Sequence, residues 1–141
     1  MNVRRFALVF GIIYVVVGFA GFVPALLQQP TGTDPSLTVD TLHGRLLGLF
    51  PVNVLHTLVH LAIGIWGLIA AKSVGAAVGY AKGLAIIYAL LAIMGLVPGL
   101  NTMFGLVPLH SHDVWLHAGT ALVAAYFGFM RKHDTRNVQR A

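Results

Sequence analysis

Four stretches of the chain, each near 20 residues long, are almost wholly apolar, and mostly short connections lie between them. They cover approximately residues 4–25, 53–71, 74–98 and 113–130. A helix needs ~20 apolar residues to cross a hydrocarbon core of ~30 Å. No long alternating pattern marks the strands of a barrel. Backbone passing through lipid must then satisfy its own hydrogen bonds as helix. Of the 141 residues 57% are hydrophobic and 9% charged, and the mean hydropathy is +0.83. A soluble domain carries roughly 25% charged residues, so a water-facing surface cannot be built from this set. An ordinary soluble enzyme, a disordered chain and a nucleic-acid-binding module are excluded. The expectation is an all-α membrane protein, one four-span domain over residues 1–141 that takes the lipid bilayer as its partner.

The net charge of +5 is explained by position. The basic residues are Arg4, Arg5, Arg45, Lys72, Lys82, Arg131, Lys132, Arg136 and Arg140. All but Arg45 fall at the N-terminus, between the second and third runs or at the C-terminus. In a chain with an even number of spans those three places share one side of the membrane. The positive-inside rule then puts both termini in the cytoplasm of a multi-pass inner-membrane protein. Asp34, Asp40 and Asp113 fall on the other side. The run over residues 6–27 has 22 residues, longer than the ~7–15 of a signal peptide's apolar region, and reads as a retained span. Absence of cysteine excludes disulfides and thiolate metal sites.

The chain repeats itself. Ile12-Ile13-Tyr14 matches Ile86-Ile87-Tyr88, and Gly21-Phe22-Val23-Pro24 matches Gly95-Leu96-Val97-Pro98, both at an offset of 74. Gly48-Leu49-Phe50-Pro51 matches Gly105-Leu106-Val107-Pro108 at 57, and Leu55-His56 matches Leu116-His117 at 61. Two halves, about 4–71 and 74–130, each with two spans, would keep the same orientation. Parallel repeats are related by an axis along the membrane normal. The predicted architecture is a four-transmembrane-helix bundle of two parallel two-helix repeats. The first outer loop, residues 28–50, carries about 17 residues more than the second. Its turn-forming Gln28–Pro35 segment, the alternating Leu37-Thr38-Val39-Asp40 and an apolar run ending near Pro51 predict a small extracytoplasmic cap with a short strand pair. Gly11, Gly18, Gly21, Gly64 and Gly67 suit close helix approach. Trp115 reads as an anchor at the outer interface and Trp66 as packing. The basic run Arg131-Lys132-His133-Asp134-Thr135-Arg136 flanks the last span on the inside.

Histidine is the one unusual enrichment. His43, His56, His60, His110, His112 and His117 lie in the outer loops or the outer halves of the spans, and only His133 lies inside. His56 and His60 are four apart on one helix and share a face. With Asn53 and Asp113 as helix caps, His56 and His117 occupy opening turns at similar depth. The positive end of a helix keeps imidazole there neutral and able to coordinate. His56 and His117 are candidate axial ligands for haem b. His56, His60 and His117, with His112 nearby, are candidate ligands for zinc or copper. A quinone or lipid pocket is a further alternative. The structural reading is that the histidines bond the outer carbonyls of spans one and three, with His60 bonded to Tyr14. No glutamate exists in the chain, and no acidic partner for the imidazoles is evident within the spans.

The segment Leu47-Gly48-Leu49-Phe50-Pro51-Val52-Asn53-Val54-Leu55-His56-Thr57-Leu58-Val59-His60-Leu61 resembles the signature of the domain of unknown function 4383 family, small four-helix bacterial membrane proteins. The resemblance extends over about the whole chain. It implies the four-span shape and supplies no reaction, ligand or cofactor. The sequence has no nucleotide motif, no paired carboxylates and no serine or cysteine nucleophile setting. The first functional reading is therefore a structural or accessory membrane subunit without enzymatic activity, in a homo-oligomer or a larger membrane complex. The alternative is a small haem- or metal-binding redox protein using the outer histidines.

The charge split makes a direct prediction. In intact cells, Thr33→Cys reacts with a membrane-impermeant thiol reagent added outside and Ser73→Cys does not. The reverse labelling contradicts the orientation.

Overall fold

The structure is a computed structural model and describes residues 1–131. The basic run at 132–136 lies outside the described residues, apart from Arg131 before it. Most of the described chain is helical. Among the described residues four α-helices are formed: α1 (Val3–Ala20), α2 (Val54–Ala70), α3 (Val74–Leu96) and α4 (His112–Ala125). A π-helical turn, Tyr126–Met130, continues α4. α1 and α3 are long and apolar enough to cross a membrane, and α2 is a shorter apolar helix. Side chains cap the first three: Asn2, Asn53 and Ser73 each accept a hydrogen bond from a first-turn backbone N–H, the arrangement that satisfies otherwise orphaned donors.

α1 packs antiparallel on α2, and α3 on α4. Glycine sets the first contact. A Cβ on Gly11 would lie 2.8 Å from the Leu68 nitrogen and 3.0 Å from the Gly64 oxygen, and one on Gly21 would lie 2.3 Å from Thr57 Oγ1. The close approach expected of the small residues is therefore present. The core beneath is aromatic: Phe6 stacks on Phe127 with ring centroids 4.8 Å apart, and Tyr80 meets Trp66 edge-on at 4.9 Å. Trp66 is thus a packing residue at 39% exposure, while Trp115 is 73% exposed.

Burial follows the sequence offsets. Val3, Phe6, Ala7, Gly11, Tyr14 and Gly18 are buried on α1, and the positions 74 later on α3 are all buried. His56, Thr57, His60, Ile63, Gly64, Gly67 and Ala70 are buried on α2. The positions 57 later, Asp113, Val114, His117, Thr120, Ala121, Ala124 and Phe127, are buried in turn. The outward faces are apolar, with Val16, Phe19, Ile65, Ile69, Leu90, Ile93 and Leu122 all more than half exposed.

One end of the helices carries a small sheet. Strands β1 (Leu27–Gln28), β2 (Gly44–Leu46) and β3 (Phe50–Val52) pair antiparallel in that order. The predicted cap has three strands where a pair is expected, because β1 is too short for its pattern to register. Pro51 is tolerated since β3 is an edge strand. Arg45 on β2 grips the Asp34 carboxylate with two guanidinium nitrogens, one at 2.9 Å. That guanidinium holds the Asp34 carboxyl well below the usual carboxylate range. Thr38 and Val39 donate their N–H groups to the Gly105 carbonyl at 2.8 and 3.2 Å. Gly105 is required there, having φ +84° and Thr38 Oγ1 where a Cβ would sit. These bonds tie the long connection to the shorter one between α3 and α4.

The backbone-to-backbone contact at Gly11 predicts the cost of a methyl group. Gly11→Ala should destabilise the helical fold in detergent by about 1–3 kcal/mol, as overpacking does. Gly79→Ala, with nothing within 4 Å, should be neutral or add up to ~1 kcal/mol through helix propensity. Equal unfolding midpoints for the two variants in a denaturing-detergent titration would contradict the packing.

Candidate metal centre

The site forms where the sheet feeds the helices. Asn53 closes β3 and opens α2. Its Oδ1 accepts the His56 N–H at 2.9 Å, and its Nδ2 donates to the carbonyls of Val39 and Leu106 at 2.8 and 2.7 Å. One buried amide thus fixes both loops and the start of α2. His56 follows in the first turn, with Nδ1 lying 3.2 Å from the Pro51 carbonyl. A carbonyl only accepts, so a neutral ring making this bond has its proton on Nδ1 and presents a lone pair at Nε2.

α4 begins differently. Its N-terminal cap position is Ser111, with φ +65° and no side-chain capping bond, and the helix starts at His112. Asp113, expected as the cap, is instead turned inward and is 2% exposed. Its Oδ2 lies 3.7 Å from His56 Nδ1. His117 falls in the second turn of α4 rather than the first, and its ring centroid is 6.2 Å from that of His56. His56, Asp113 and His117 each offer one ligand atom, and the three atoms lie within 4.8 Å of one another. An acidic partner for the imidazoles therefore exists, against the reading of the sequence.

These groups are poorly satisfied by the protein. Asp113 Oδ2 and His117 Nδ1 are buried with no hydrogen-bond partner. Each such group costs roughly 1–3 kcal/mol, more if charged. The expected bonds to outer carbonyls of the first and third helices are not what the histidines make: His56 uses Pro51 in β3, and His117 Nδ1 uses nothing.

The remaining candidates are accounted for. His60 lies outside the trio, its ring stacked on His56 at 4.5 Å and on Tyr14 at 5.5 Å. The expected His60–Tyr14 bond gives way to this stack. The Tyr14 hydroxyl bonds Tyr88 and Thr120, and His60 turns back to the His56 carbonyl. Tyr88 meets His117 edge-on at 5.0 Å. His112 pairs with Ser111 at 3.3 Å and faces Phe50, away from the trio. His110 lies in the cap, 3.9 Å from Asp34. Burial holds its pKa below the usual histidine value, with Asp34 opposing.

Asp113 was detectable in the sequence by one signal. If the offset of 57 set by the two Gly-Leu-x-Pro motifs is carried on into the helices, His56 aligns with Asp113 and His60 with His117. The burial pattern follows that register, whereas the offset of 61 aligns the histidines by type and hides the carboxylate.

No curated protein and no solved structure matches the chain. The sequence profile of the family described as Domain of unknown function (DUF4383) matches residues 4–130. That match covers nearly all of the chain, which therefore belongs to the DUF4383 family.

Proposed function

We propose that the protein is a four-span inner-membrane protein that holds one first-row divalent metal ion between the outer ends of α2 and α4. His56, Asp113 and His117 are its ligands. The observation that carries this reading is the trio of buried side chains that meet one another while two of their polar atoms have no partner. A cation between them supplies one shared partner and balances the carboxylate. Tetrahedral bonds of ~2.1 Å put ligand atoms ~3.4 Å apart, so binding draws the three groups together by about 1 Å. With an ion on His56 Nε2, the Pro51 carbonyl at Nδ1 would be the outer-shell acceptor that metal-bound imidazoles usually have. Three protein ligands leave a coordination position open, as in catalytic zinc and non-haem iron sites.

The membrane part of the reading rests on the apolar outward faces and the eight-to-one split of basic residues. Both termini would be cytoplasmic and the sheet outside. A repeat related by an axis along the membrane normal is supported by residues that meet their own counterparts across the core. Phe6 faces Tyr80 and Tyr14 faces Tyr88, each pair 74 apart in sequence, with ring centroids at 6.2 and 5.6 Å. A haem is less well supported than a single ion. His60 stacked on His56 and Tyr88 against His117 fill the flanks that a porphyrin plane would need.

Equilibrium dialysis of the purified protein against Zn²⁺ or Fe²⁺ should give one ion per chain. Asp113→Asn or His117→Ala should weaken binding by more than about 100-fold, beyond the 10–100-fold loss typical of an outer-shell partner. His112→Ala should leave it unchanged. If the wild type binds no ion and Asp113→Asn is simply more stable, the trio is structural and this reading is wrong.

A further inference from the structure

α1 leans on α2 and α3, and α4 on α3, so a cleft is left between α1 and α4. It has a volume of about 220 Å³, and Ile13, Tyr14, Val17, His60, Leu116 and Thr120 are among the residues that line it. At its mouth Ile13 and Leu116 are 48% and 50% exposed on the apolar outer faces of their helices, whereas Tyr14, His60 and Thr120 inside are each under a tenth exposed. With the four-span membrane reading, on which this inference rests, the mouth opens sideways into the outer leaflet rather than to water.

We propose that the cleft binds a lipid-dissolved amphiphile with a neutral, planar, oxygen-bearing head, a quinone or quinol in type, whose tail stays in the bilayer. The lining selects for each part of that description. Tyr14 and His60 stack on each other at an interplanar angle of 21°, so a planar head meets the edges of two rings, a favourable aromatic geometry. The bonded Thr120 and Tyr14 hydroxyls both line the cleft and keep lone pairs that can accept from a hydroxyl of the head. His60 uses one ring nitrogen on the His56 carbonyl, and a neutral imidazole donating there keeps its other nitrogen as an acceptor for a hydroxyl. The lining residues include no Lys, Arg, Asp or Glu, so a phosphate or ammonium head would enter lipid depth without a counter-charge. A plain hydrocarbon chain would leave the polar groups unused. The His60 ring is also stacked 4.5 Å from that of His56, so the bound head lies one side chain away from the proposed metal ligands.

The test uses the full chain in lipid nanodiscs and two photoreactive probes of equal tail length. One is a decyl benzoquinone with a diazirine in its tail, and the other is the diazirine-bearing alkane without the ring. Peptide mapping should find the ring-headed probe on segments 13–17 and 116–120 at about ten times the level of the alkane, which corresponds to a difference of one decade in affinity. Excess unlabelled decyl benzoquinone should remove that excess. Thr120→Trp and, as a second filling variant, Val17→Trp should each bring labelling down to the alkane level. Equal labelling by the two probes, or labelling indifferent to both tryptophans, overturns the proposal. Metal content measured on the same samples separates the two readings. Bound metal with no ring preference sinks the cleft alone, and ring-preferring labelling without metal sinks the metal centre alone.

Discussion

Asp113 puts a carboxyl group where nearly everything else is apolar, beside two imidazoles that are as deeply buried as it is. That juxtaposition conditions the rest of the structure. A carboxylate buried without a partner is among the costliest features a fold can carry, so the surrounding chain must either neutralise it or give it a cation. Asn53 fixes the turn that delivers His56, and the first two turns of α4 deliver Asp113 and His117. The cap closes over the end through Asn53, Gly105 and the Arg45–Asp34 pair.

Away from that end, packing is carried by small residues and rings. Gly11, Gly64 and Gly67 let the α1 and α2 backbones touch, as is common where helices associate without a hydrophobic driving force between them. The rings of Phe6, Tyr14, Tyr80 and Tyr88 then fill the space between the two helix pairs. The helices are apolar on their outward faces as well as through most of the core, with the buried polar groups gathered toward one end, and the proposed membrane location accounts for the apolar outside.

Much of this was legible in the sequence because it depends on local patterns. Apolar run length located all four helices, and Asn53 announced the start of α2 in the way N-caps do. The glycines marked the close contacts. The family signature was carried by the same segment that delivers His56 and His60. What stayed hidden depended on register. Ser111 takes a left-handed conformation that no residue type signals, α4 starts at His112, and Asp113 becomes an inward group instead of a cap. Matching His56 to His117 by residue type obscured the register in which His56 corresponds to Asp113. β1 spans two residues and is visible only through its partner strand.

The most direct test of the central claim is X-ray absorption spectroscopy of the purified protein loaded with one equivalent of Zn²⁺. A centre built from His56, Asp113 and His117 predicts a first shell of nitrogen and oxygen at about 2.0–2.2 Å, with outer-shell scattering from two imidazoles that falls to one in His117→Ala. A shell of oxygen alone, or imidazole scattering that His117→Ala leaves unchanged, would contradict it.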